Sequence, residues 1–220
     1  MEPITETELV ALPQRIELTY IDYLLNHGVQ PASVYKFCQD LGIREDEFYL
    51  YFGSFAGLEK YIWKGFVERT VNRLSTEESF VAFSAREKIL SFYFAFFEEL
   101  KMNRSFVLLQ LKNRRSLEFP PEFLKDFKSS YISFVDGILN VGKSTGEIAR
   151  RPFLDKRYAP VFWMHMAFLL NFWKEDNSPA FEKTDAAIEK SVNLAFEFIG
   201  KGAVDSMIDF AKFLYQTRFK

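Results

Sequence analysis

The sequence predicts an all-α fold in which a short N-terminal helix-turn-helix head leads into a larger helical body. Three observations carry that expectation. Apolar residues recur at helical spacing along nearly the whole chain, and no sustained alternation argues for a strand. Two short apolar stripes separated by Gly42, followed by a third rich in Phe and Tyr, are the layout of a helix-turn-helix. The 220 residues include 26 Phe, 10 Tyr and 3 Trp, more apolar area than a minimal core needs, so the body is either a large core or an enclosure.

Each element follows from its own signals. Met1 to Pro13 reads as a frayed lead-in. A first helix places Ile16, Tyr20, Tyr23 and Leu24 on one stripe and stops at Asn26, His27 and Gly28. The second follows Pro31, with Ser33 as its cap and Val34, Phe37, Cys38 and Leu41 at i, i+3, i+4 and i+7, and Gly42 ends it. A short third helix from Arg44 to Tyr51 turns Phe48 and Phe52 inward. A fourth, opening after Gly53 and Ser54, uses Leu58, Tyr61, Ile62 and Phe66 and runs to Leu74. The polar stretch Thr76 to Ser79 divides the chain into a head with connecting helix, 1–74, and a body, 75–220. Body helices are expected at 82–101, 104–114, 120–144, 156–174, 183–200 and 203–217, separated by Pro and Gly signals. Residues 89–100 and 158–173 are apolar nearly all round, so they belong at the centre or at an interface.

Composition excludes several function classes. One cysteine, Cys38, leaves no internal disulfide framework and fits a reducing compartment, hence the cytoplasm. The start has the features of neither a signal nor a transit peptide, and no apolar run reaches the ~20 residues a membrane helix needs. His27 and His165 stand in no ligand spacing with Cys38 or paired carboxylates, so neither metal nor cofactor is expected. Glu77-Glu78 and Glu98-Glu99 are adjacent rather than a turn apart, and no Ser or Cys nucleophile carries a signature, so an enzyme is not expected. Gly137 to Ser144, GILNVGKS, matches a phosphate-binding loop letter by letter. That loop must follow a strand and open a helix, whereas Tyr131, Phe134, Ile138 and Val141 continue a helical stripe through it.

Residues 15–62 resemble the N-terminal domain of TetR-family transcriptional regulators. The resemblance rests on the helix ending at Gly28, Ser33 opening the next, Phe37-Cys38, Gly42-Ile43 at the turn, and Phe48-Tyr49-Leu50-Tyr51-Phe52 followed by Ser54 and Leu58. Gly146-Glu147-Ile148 resembles the family's motif before its dimerisation helices. The resemblance implies that Ser33, Tyr35, Lys36, Arg44, Glu45, Asp46, Glu47, Tyr49 and Tyr51 face DNA. Three departures fall there. Arg44 occupies a capping position that normally holds Ser or Thr, and Arg cannot accept a hydrogen bond. Glu45, Asp46 and Glu47 point carboxylates toward a polyanion. Phe55 replaces a phosphate-contacting lysine. Residues 1–70 carry six basic against eleven acidic side chains, a net of −5. Two readings stay open: an operator-binding head, and a retained scaffold on a dimeric ligand- or lipid-binding protein.

For the body, the resemblance implies an enclosed effector and a helical dimer interface. An apolar or aromatic small molecule would be lined by Phe92, Phe96, Phe106, Leu109, Phe127, Tyr131, Phe134, Phe162, His165, Met166 and Trp173, with Tyr131 and His165 as its polar groups. Helices 156–174 and 183–200 would pair with a second copy of the chain through Phe168, Phe172, Val192, Phe196 and Ile199.

Overall fold

The structure, a computed structural model, describes residues 6–112, 121–151 and 154–200. Among the described residues every regular element is helical: α1 (Glu6–His27), α2 (Val34–Leu41), α3 (Glu45–Tyr49), α4 (Phe55–Ser75), α5 (Glu78–Ala82), α6 (Ala85–Met102), α7 (Arg104–Lys112), α8 (Lys125–Thr145), α9 (Tyr158–Glu175) and α10 (Glu182–Ile199), with single 3-10 turns before α8, α9 and α10. One antiparallel bridge joins Ile148 to Gly200. The helix expected at 203–217 lies outside the described residues.

Packing groups the described residues of 1–68 and 99–128 into one compact unit and those of 69–98 and 129–220 into another, so the boundaries fall inside α4, α6 and α8. In the first unit α1 packs on α7 and α2 on α3. Its core holds Ile16, Tyr20, Phe37, Phe48, Leu58 and Ile62, all buried. Helix α1 corrects the expected lead-in: it begins at Glu6 and runs through Pro13, whose missing N–H removes one intrahelical bond without ending the helix. On α4 Phe66 is buried as expected and Trp63 is buried with it, whereas Tyr61 is two-fifths exposed.

The helix expected at 82–101 is α6, which starts at Ala85, and the short α5 ahead of it begins within the stretch expected to be a polar break. Ser84 separates the two: the Glu87 carboxylate accepts from the Ser84 N–H at 2.8 Å, and the Glu87 N–H donates to Ser84 Oγ at 3.3 Å, a reciprocal cap that starts α6 afresh. The Glu147 carboxylate covers the same helix end, accepting from the backbone N–H groups of Ala85 at 2.7 Å and Arg86 at 3.0 Å. Helix α8 passes unbroken through Gly137–Ser144, so the phosphate-loop match is helical. Its glycine at 142 has a packing reason: a Cβ there would meet Ile148 Cδ1 at 2.7 Å and Ala85 Cβ at 2.9 Å.

Helices α9 and α10 pack on each other, and both ends of α10 are closed by buried charge. At its start the Asp176 carboxylate accepts from the N–H and hydroxyl of Ser178 and of Thr184, at 2.7–2.9 Å. Between them Ala180 and Phe181 adopt φ of 52° and 65°, left-handed values uncommon for residues with a Cβ. At its end the Arg151 guanidinium donates to the carbonyls of Phe198 at 3.0 Å and Gly200 at 2.9 Å, and to the Tyr158 hydroxyl at 3.1 Å. The two carbonyls are among those a helix terminus leaves over.

Candidate DNA-facing head and aromatic clusters

The head is assembled by local chemistry. Ser33 Oγ accepts from the Lys36 N–H at 3.1 Å and opens α2. Gly42, at φ 73°, ends it in the left-handed region that glycine enters without steric cost. Arg44 stands at the cap of α3 without a side-chain cap bond. Glu47 compensates in part, its carboxylate taking the Arg44 backbone N–H at 2.8 Å. Beneath the surface lies a ring cluster in which Tyr20 stacks on Phe55 at 5.2 Å and Phe37 meets Phe55 edge-on at 5.5 Å, with Phe48 and Phe52 buried beside them. Phe55, standing where a DNA-contacting lysine was expected, is thus a core residue. Cys38 is buried in the same core, and its thiol is pushed up to about 11 by desolvation and by the nearby carboxylates of Glu45 and Glu47.

The outer face of the head keeps Ser33, Tyr35, Lys36, Arg44, Asp46 and Tyr49 exposed, with Glu45, Glu47 and Tyr51 half-buried. Its cations are engaged by neighbours. The Arg44 guanidinium forks onto Asp46 at 3.0 and 2.9 Å, and Lys36 donates to Asp40 at 3.0 Å. Tyr49 donates to Glu45 at 3.1 Å. Exposed pairs of this kind are worth about 0–1 kcal/mol each, so a phosphate can compete for the cation, but the displaced carboxylate stays beside it.

The expected ligand-lining residues fall into two clusters. Phe106, Leu109 and Phe127 belong to the first unit, where Phe127 meets Trp63 at 5.8 Å and Phe106 meets Phe66 at 6.4 Å. The second unit holds the others: Phe92 stacks on Phe96 at 5.6 Å and touches Phe134 at 4.8 Å and Tyr131 at 5.7 Å. Phe162, Met166 and Trp173 are buried there from α9. Through these rings runs a polar chain. Tyr131 donates to the Phe162 carbonyl at 3.1 Å, the Tyr131 and Tyr93 hydroxyls meet at 2.5 Å, and Tyr93 meets His165 Nδ1 at 3.1 Å. His165 Nε2 meets Ser191 Oγ at 2.7 Å, and Ser191 donates to the Ala187 carbonyl. Burial lowers the His165 imidazole to about 4 and raises both phenols, so all three are neutral near pH 7. Tyr93 and Ser191 were missed in the sequence: Tyr93 is embedded in an apolar run and Ser191 is one serine among many, with only the helical phase of Ile188 and Val192 pointing it inward. Among the described residues no cluster of three or more His, Cys, Asp or Glu side chains could hold a metal, and no helix is long and apolar enough to cross a membrane.

The sequence model of the tetracyclin repressor-like C-terminal domain matches residues 88–214. The chain belongs to the TetR family of transcriptional regulators. Among solved structures it is similar to a TetR-family regulator of Syntrophomonas wolfei, at 16% identity and a TM-score of 0.65, covering 83% of this chain and 94% of that one. A TetR-family regulator from Rhodococcus gives 14%, 0.60, 84% and 98%, and a fatty acid degradation regulator of Bacillus halodurans 16%, 0.58, 83% and 97%. No curated protein matches the sequence. At such identities the structures share the fold. Of the residues expected to meet a second copy, Val192, Phe196 and Ile199 are 0%, 8% and 7% exposed. Phe168 and Phe172 remain outward, joined by Val161 and Met164 on α9 and by Leu194 and Phe198 on α10.

Proposed function

We propose that this protein is a homodimeric, non-enzymatic, cytoplasmic transcriptional regulator whose head, residues 1–74, meets DNA and whose body, 75–220, answers to an apolar or aromatic small molecule. The observation that carries this reading is the intact head. Ser33 caps α2, Gly42 makes the turn, and the aromatic core under α3 leaves Tyr35, Lys36 and Tyr49 outward. The dimer part is supported by the apolar face of α9 and α10, since exposed apolar patches mark interaction surfaces. Binding of DNA from upstream of its own gene, followed by fluorescence anisotropy at two salt concentrations, tests the head. A steep loss of affinity with salt is the signature of phosphate contacts, and no binding at low salt removes the DNA part of the reading.

One observation favours a second reading, a dimeric ligand-binding protein whose head has lost DNA recognition: Arg44 and Lys36 are both held by carboxylates of their own helices. Asp46→Ser distinguishes the two. In a DNA-binding head it frees Arg44 and strengthens low-salt binding about tenfold, in line with the removal of one like charge beside phosphate. In a vestigial head it changes nothing.

A further inference from the structure

The indole of Trp63 is fully buried on α4, and among the described residues its N–H has no hydrogen-bond acceptor. Buried donors in folded proteins are nearly always paired, and one left without a partner carries a cost that a bound acceptor would remove. Its surroundings are rings: Phe123 at 5.3 Å, Phe66 at 5.6 Å and Phe127 at 5.8 Å. Phe123 is seated there by the turn Glu122–Leu124, whose Glu122 carboxylate is held by Lys60 of α4 at 2.6 Å and by Lys125. The cluster therefore offers one directed donor in an otherwise apolar setting, the composition of a small-molecule site.

Charge narrows the ligand class. One turn before Trp63, Glu59 lies on the same face of α4, and its Oε1 accepts from the Tyr20 hydroxyl and from Gln110 Nε2, both at 3.0 Å. A carboxylate one helical turn away opposes an anionic acceptor and leaves a neutral one unaffected. We propose that Trp63 anchors a neutral, carbonyl-bearing apolar ligand in the cluster formed by α4, α7 and the Glu122–Leu124 turn. The proposal rests on the ligand-responsive reading above and specifies its chemistry. It also gives the ligand a direct lever: the helix it holds carries Glu59, the partner of Tyr20 in the core of the head.

The test uses the full-length protein with its tryptophan indoles labelled with 15N. Trp63→Phe, Trp163→Phe and Trp173→Phe assign the three indole resonances. Acetophenone, isopropylbenzene and benzoate are then titrated as a ketone, its hydrocarbon counterpart and an anion. Acetophenone is expected to move the Trp63 proton downfield, isopropylbenzene to leave it in place, and benzoate to bind about tenfold more weakly than acetophenone. Trp63→Phe is expected to weaken acetophenone about tenfold and isopropylbenzene not at all. A Trp63 resonance unmoved by acetophenone, or moved equally by the hydrocarbon, overturns the proposal, as it would if the N–H rests on the Phe127 ring. Shifts confined to Trp163 or Trp173 overturn it while sparing the ligand-responsive reading. Absence of binding by every probe, with no compound retained through purification by native mass spectrometry, takes down both.

Discussion

His165 carries a single hydrogen at neutral pH, and because the Ser191 hydroxyl already donates to the Ala187 carbonyl, that hydrogen belongs on Nε2, toward Ser191 Oγ, leaving Nδ1 to face the Tyr93 hydroxyl. Burial favours this neutral form, lowering the imidazole from 6.5 to about 4. A depressed histidine adds stability above its unfolded value, and that contribution disappears as pH falls. Urea midpoints are therefore expected to drop between pH 6.5 and pH 4, with a shallower slope in His165→Gln. Asp176, which burial alone would raise but Ser178 and Thr184 bring down to about 2, titrates below that window and does not confound it. Two glycines of α8 separate packing from propensity. Gly142→Ala is expected to cost about 1–3 kcal/mol, because Ile148 and Ala85 occupy the added methyl's place. Gly137→Ala, facing open space, is expected to gain about 0.5–1 kcal/mol in the same urea titration. The residue-level distinction was hidden in the sequence, where both glycines read as one motif.

Most helices were legible from phase alone, because a stripe at i, i+3, i+4 and i+7 admits one burial solution when the opposite face is charged. Helix α10 shows where that fails. Val192, Phe196 and Ile199 form one apolar stripe and Leu194 and Phe198 another, and nothing in the order of residues says which meets α9 and which is left outside. The same ambiguity concealed Trp63, whose neighbour Tyr61 is as apolar in its ring and equally well placed by spacing. The break before α6, by contrast, was readable: Ser84 and Glu87 stand three apart, the spacing of a reciprocal cap. Capping of α10 is a test at this scale. Asp176→Ala removes four accepted hydrogen bonds at the helix start and is expected to lower unfolding stability by about 2 kcal/mol by chemical denaturation.

For the molecule as a whole, the apolar face of α9 and α10 makes assembly measurable. Phe168, at 52% exposure, and Phe198, at 59%, sit outside the protomer core. Phe168→Asp combined with Phe198→Asp is expected to halve the mass seen by sedimentation while leaving the helical circular dichroism intact. A double variant that keeps the wild-type mass removes the proposed pairing through this face. The fold and family were readable because head and body announce themselves in separate signals, turn residues in one and ring content in the other. How the rings divide between two clusters was not, since phase along one helix carries no information about which neighbour it meets. The head also contains its own clock. Cys38 is the chain's single cysteine, shielded at 1% exposure and protonated at neutral pH, so a thiol reagent can reach it only when α2 and α3 come apart. The labelling time course counts those openings directly, and a bound partner that holds the two helices together would slow the count.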